Sequence, residues 1–378
     1  MPGAASRRAG GGRRNVGGVR HADDDMSDLE MATHPSSPLL SRPGAVAGQG
    51  TDAGVACHYG DPMREQRLLS EGLAVVDLSH RDVVTVAGPD RLSWLHSITS
   101  QSLSALAPRT STEALVLSPK GHVEHALHVV DDGATTWLSV EPGTGPALTA
   151  WLRSMQFLLR VEVADRSGEI AVVGEPIDSE GTEGEPPTWR DPWPAVAEGS
   201  TSYAAADGAT HPGAERSWRE LLVPREALAD VVGDRPLAGT WAAEALRVAA
   251  WRPRLGLDTD HRTIPHELDW LRTAVHLHKG CYRGQETIAR VHNLGRPPRR
   301  LVLLHLDGSG HVLPDPGAEL VDTRGRAVGR ITTPVRHHEL GPVALAVVKR
   351  SCPVDETLVA GDIAGSQEVV VDPAAPIR

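Results

Sequence analysis

The chain has 378 residues, 40% of them hydrophobic, and its 49 acidic side chains outnumber its 38 basic ones to give a formal net charge of −11. That length suggests two or three domains, because single cores rarely grow further, and the acidic balance argues against a free-standing nucleic-acid binder, which needs cations to neutralise phosphate. No apolar run reaches the ~20 residues of a membrane helix, and the three cysteines, Cys57, Cys281 and Cys352, lie far apart with no Cys-x-x-Cys pair, which argues against a zinc ribbon or a self-contained iron–sulfur site.

Residues 1–55 are rich in Gly, Ser, Pro and Arg and show no hydrophobic period, so a disordered, removable extension is expected. Its first twenty residues hold five arginines but no apolar signal-peptide core, and Met26 and Met31 are alternative starts. Order is expected from about Tyr59. A short helix is predicted over 61–71, a strand over 83–86, and a helix after Gly88-Pro89-Asp90. Strands at 114–117, 126–130 and 136–140, a helix over 146–159 and a strand at 160–163 complete an α+β pattern.

Glu, Gly, Pro, Ser and Thr dominate about 175–215, which reads as an acidic surface insertion. Helices are predicted over 225–232 and 240–251, the second with Trp241, Ala245, Val248 and Ala249 on one face. From Leu301 onward, strands at 301–306, 318–321, 327–332 and 343–348, punctuated by Gly and Pro, predict a small β-barrel. The expected layout is thus an extension over 1–55, an α+β region over 56–295 with two subdomains, and a barrel over 296–378.

The chemistry concentrates in Lys279-Gly280-Cys281-Tyr282-Arg283-Gly284-Gln285-Glu286, continued by Ala289-Arg290. Lys279 and Arg283 set a positive field around Cys281 that favours its thiolate. A helix expected after Gly284 adds a dipole worth ~0.3–1 kcal/mol. Two glycines allow a tight turn or close approach to a ligand. Cys281 is therefore the candidate catalytic residue. Cys352, near Lys349 and Arg350, ranks second among the thiols, and Cys57 has only His58 beside it. No metal site is expected: His122 and His128 share a strand parity that His125 does not.

This octapeptide resembles the signature of the YgfZ family. Gly256-Leu257-Asp258 with Ile264-Pro265-x-Glu267, Asp77-Leu78-Ser79-His80, and Gly341-Pro342-x-Ala344-Leu345-Ala346 are similar to the same superfamily, which includes the T-protein of the glycine cleavage system. The resemblance covers about 60–365. It implies an α+β, T-protein-like fold of three domains around a channel that binds tetrahydrofolate or a derivative, ending in a small barrel. It also implies service to iron–sulfur client proteins, including enzymes that modify tRNA; the scattered cysteines fit a reducing cytosol, so a cytoplasmic location is expected, with no direct nucleic-acid or membrane contact. Folate needs pterin anchors, apolar walls and a cation for its tail. Gln285 and Glu286 are the candidate anchors and Lys279, Arg283 and Arg290 the candidate cations, with Tyr282 completing the cofactor-binding set.

Two departures from the T-protein pattern weigh against classical aminomethyl transfer. The stretch matching its Gly-x-x-Asp-Asp is Gly121-His122-Val123-Glu124-His125, and the stretch matching Leu-Arg-x-Glu-x-Gly carries Ala249 where the pterin-holding carboxylate stands. A folate-dependent one-carbon transferase and a non-catalytic folate-binding scaffold are the competing readings.

Overall fold

The computed structural model describes residues 35–206 and 208–374. The mixed α+β fold expected from sequence is present, with a closed barrel at its end. One five-stranded antiparallel sheet runs in the order Ser111–Leu117, Val123–Asp131, Thr135–Val140, Asp82–Ala87, Glu162–Asp165. A second runs Thr188–Arg190, Arg219–Pro224, Ile170–Glu175, Val75–Asp77, Leu237–Ala238, with only its last pair parallel.

The barrel closes in the order Arg299–Leu306, Gly341–Lys349, Ala327–His337, Glu319–Val321, Leu358–Ala360, Ile363–Val369. Strand alternation explains its two faces. Val302, Leu304, Ala344, Ala346 and Val348 fill the interior. Leu301, Leu303, Val343, Leu345 and Val347 face outward, into a core shared with Leu268, Trp270, Tyr282 and Ile288. That outer face is what seats the Lys279–Arg290 segment. Asp258, fully buried, ties the barrel on further: it accepts from Arg247 Nη1 at 2.7 Å, Thr332 Oγ1 at 2.5 Å and Thr333 Oγ1 at 2.8 Å.

Four expectations need correction. The part of the 1–55 extension that is described, 35–55, belongs to the fold: Leu39 is 1% exposed against Val75, Val173 and Val223, and Val46–Ala47 pairs with Ala56–His58. Residues 1–34 lie outside the described residues. The insertion over 175–215 is not wholly a surface loop, because Trp189, Trp193 and Tyr203 are buried in it and Thr188–Arg190 joins a sheet. The helix Thr240–Ala249 buries Ala242, Ala245 and Val248, whereas Trp241 is 54% exposed beside His58. The helix expected over 146–159 stops at Met155, leaving Phe157 and Leu158 exposed.

Candidate functional site

The strand register sets two rows of side chains against each other. Glu113 and Ser139 lie directly opposite His128 on its neighbouring strands, so all three point to one face. Trp189 lies opposite Glu220 in the other sheet. Between the rows is a cavity whose other walls come from Arg81, Asp191, Arg216, Trp218, Glu244, Arg252, Arg254 and Trp270. Its free volume is 70 Å³, room for about five to seven waters at ~10–15 Å³ each. Space on this scale would take part of a flat ring system, not a whole folate.

Charge is paired throughout this cavity. Arg254 donates to Glu141 at 2.8 Å, Asp52 at 2.9 Å and Glu244 at 3.1 Å. Burial alone would raise the Glu141 carboxyl, but Arg254 and Arg81 outweigh it and bring it down to about 2. Glu220 follows the same logic: burial opposes its charge, and His128 and Arg81 hold it well below the usual carboxylate range. Glu113 accepts from Arg252 Nη1 at 3.0 Å, Trp270 Nε1 at 2.8 Å and Thr273 Oγ1 at 2.6 Å.

Three polar atoms on the cavity's lining residues are buried without a hydrogen-bond partner among the described residues: Thr240 Oγ1, Arg216 Nε and His80 Nδ1. Native interiors seldom leave such groups unmatched. Aromatic walls and buried charges together suit a flat, polar heterocycle such as a pterin.

The segment singled out by sequence lies elsewhere. None of its residues lines the central cavity. Gly284, at φ +84°, starts the helix Gln285–Leu294, and a Cβ on it would sit 2.6 Å from Ser118 O and 3.0 Å from Gly121 Cα. Backbone therefore meets backbone where the segment docks. The buried Lys279 ammonium donates to Thr99 O at 2.6 Å, Gln101 O at 2.9 Å and His96 O, and lies 5.1 Å from the Tyr282 ring centroid. Burial lowers it to about 8. Its charge thus fastens the loop to the end of the helix Arg91–Ile98.

Cys281, two residues on, is exposed, whereas Cys57 and Cys352 are buried and burial pushes both of their thiols up. Arg283 pairs with Glu124 at 2.7 Å and lies over Trp151, 5.9 Å from its ring centroid. Glu286 and Arg290 are exposed on the helix. Tyr282 and Gln285 line a separate cleft of 490 Å³ with Leu277, His278, His292 and Asn293.

The positions matching the T-protein's acidic pair also lie off the central cavity, Glu124 at the surface and His125 lowered to about 4 by burial. Ala249 carries no carboxylate, but Glu244 of the same helix lines the cavity. Among the described residues no three His, Cys, Asp or Glu side chains converge on a metal position, and no helix is long and apolar enough to cross a membrane.

Sequence reasoning missed the central set because its members are scattered over more than two hundred residues, from Asp52 to Trp270. Only the unusual Trp content offered a signal: three of the nine tryptophans, Trp189, Trp218 and Trp270, face this one cavity.

No family model matches the chain. It is 25% identical over 342 residues to a putative chloroplastic transferase of Arabidopsis thaliana, covering 82% of this chain and 73% of that protein. It is 26% identical to an aminomethyltransferase of Parasynechococcus marenigrum, covering 76% and 82%. The iron–sulfur cluster assembly factor IBA57 homolog of Mycosarcoma maydis is also 26% identical, over 72% and 73% of the two chains. In three dimensions the chain resembles the glycine cleavage system aminomethyltransferase T of Bartonella henselae, with a TM-score of 0.70 at 19% identity over 90% and 97% of the chains. These similarities support the broad aminomethyltransferase-like superfamily.

Proposed function

We propose that this chain, aminomethyltransferase-like in fold and sequence, is a folate-binding protein of the YgfZ type. It supports iron–sulfur client proteins, including enzymes that modify tRNA, and works in the cytoplasm. The observation that carries this reading is the central cavity, with three aromatic walls and buried, paired charges around them. The pterin of tetrahydrofolate or a derivative would sit between Trp189, Trp218 and Trp270, with the linker and tail outside. The ligand supplies a one-carbon carrier; the chain's residues bind and orient it and keep water from it.

Cys281 acts toward the client. It is the exposed thiol of the three and stands on a loop fastened by Lys279. A single Cys cannot hold a cluster, but it can touch a client's cluster or take part in thiol chemistry. The lack of a carboxylate at Ala249 favours this role over aminomethyl transfer.

A second seat for the folate is favoured by the cleft's 490 Å³, within the range of ligand pockets. Tyr282 and Gln285 would then hold it, with Glu286 and Arg290 nearby on the same helix. Titration calorimetry with tetrahydrofolate on Trp189→Ala and Gln285→Ala separates the two seats. Heat lost only in Trp189→Ala supports the central cavity, and heat lost only in Gln285→Ala moves the ligand to the cleft. No heat in the unaltered protein defeats the folate reading.

A further inference from the structure

We propose that Asp52, carried on a hinged loop, holds the place of a ligand oxygen in the central cavity: a ring carbonyl of the heterocycle replaces its carboxylate on Arg254 and His80 when the loop swings out. This rests on the reading of that cavity as the seat of a pterin. Two nitrogens from distant segments converge on one atom. Arg254 Nη2 donates to Asp52 Oδ1 at 2.9 Å, and His80 Nε2 lies 3.2 Å from the same oxygen. All three residues line the cavity. Burial opposes the charge of Asp52, but Arg254 and His80 hold its carboxyl well below the usual carboxylate range. An ionised carboxylate only accepts, so both nitrogens are donors. Two donors meeting at one point on a pocket wall are what fixes the orientation of a ligand oxygen.

Asp52 belongs to the loop and not to the frame of the cavity. Val46–Ala47 pairs with Ala56–His58, so 48–55 is the connection of a hairpin. Its ends are held: Gly48 N donates to Val55 O at 2.8 Å, Ser37 N donates to Gly54 O at 2.8 Å, and Val55 is fully buried. Between them Gln49, Gly50 and Ala53 are exposed, and the backbone bonds stay local, Asp52 N to Gln49 O at 3.2 Å and Ala53 N to Gly50 O at 3.1 Å. Gly50 and Gly54, at φ +59° and +92°, give the tip places to turn while the stem stays. Among the described residues, no side chain of 49–53 other than Asp52 bonds outside the loop.

The free volume of 70 Å³ gives the loop a reason to move, since it takes only part of a flat ring. Withdrawing Asp52 enlarges the cavity at that wall and frees Arg254 Nη2 and His80 Nε2 together. Arg254 keeps Glu141 and Glu244 on its other nitrogens, so its guanidinium stays in place. A latch that must open before the ligand enters weakens apparent binding by the fraction of molecules in which it is open.

Titration calorimetry with tetrahydrofolate tests the latch. Asp52→Ala should bind about tenfold more tightly than the unaltered protein, as for an open state populated at ~10%. Asp52→Asn keeps the shape with a weaker acceptor, should fall between the two, and serves if Asp52→Ala melts early. Hydrogen exchange at the amides of Asp52 and Ala53 should quicken when tetrahydrofolate is added to the unaltered protein, and should be fast in Asp52→Ala with or without it. Equal or weaker binding in a folded variant, or amides slowed by the ligand, would overturn the latch while leaving the folate reading intact. No binding in any of the three proteins would overturn both.

Discussion

Replacing Arg254 by Met keeps most of the stem and removes the cation around which Asp52, Glu141 and Glu244 converge. Removing one partner of a buried ion pair typically costs ~3–5 kcal/mol, because a charge is left without compensation. Here each carboxylate retains a second partner: Arg81 for Glu141 at 3.0 Å, Arg247 for Glu244 at 2.8 Å and His80 for Asp52 at 3.2 Å. The loss should therefore fall at the lower end, ~3 kcal/mol, equivalent to a drop of roughly 4 °C in Tm for a chain of this size at ~2.1 cal/mol/K of unfolding entropy per residue. Urea unfolding should show a lower midpoint at unchanged slope. Adding Asp52→Asn to Arg254→Met should cost less than the two single losses summed, since the pair is coupled. A loss below ~1 kcal/mol would mean that the network is solvated and contributes little, as exposed pairs do, and the account of a buried, charge-matched network would fail.

Acid should destabilise the protein through the same groups. Glu141 is held at about 2, below its unfolded value, so its contribution is fully present above about pH 4.5 and is lost as pH falls toward 2; stability that stays flat from pH 5 to 2 would contradict this. Gly284→Ala forces a side chain into the left-handed region and against Ser118 O, costing ~1–3 kcal/mol from backbone strain alone; a variant as stable as the parent by thermal melt would show that the docking is loose. Leu39→Ala should cost ~2–5 kcal/mol as a core deletion, whereas a change under ~0.5 kcal/mol would return 35–55 to the status of a removable extension. Limiting iodoacetamide should label Cys281 before Cys57 and Cys352, as read by mass spectrometry; labelling of either buried thiol first would undo the assignment of Cys281 as the reactive one.

The barrel was legible because its strands alternate cleanly, with Leu301 and Leu303 facing one way and Val302 and Leu304 the other. The Lys279–Arg290 segment stands out in the sequence because its chemistry is contiguous, but none of its residues lines the central cavity. The closing strands Leu358–Ala360 and Ile363–Val369 escaped notice, the second carrying Gly, Ser, Gln and Glu among few apolar residues. The role of 35–55 was hidden because Leu39 and Val55 anchor it singly, without a repeat that a pattern could reveal. Over 175–215 the Gly, Pro and Glu content masked Trp189 and Trp193, two side chains that decide the packing locally. The central cavity was hidden for a different reason. A row such as Glu113, His128 and Ser139 exists only once the strand register is set, and sequence spacing does not contain that register.

Binding of tetrahydrofolate to the purified chain, followed by titration calorimetry together with the thermal shift it produces, bears on the whole account. The account predicts heat on mixing and a Tm that rises with ligand concentration, both lost in Trp189→Ala and both retained in Cys281→Ser, because the thiol serves the client and not the folate. No heat and no shift up to millimolar ligand, or a loss of binding in Cys281→Ser with Trp189→Ala unaffected, would contradict it.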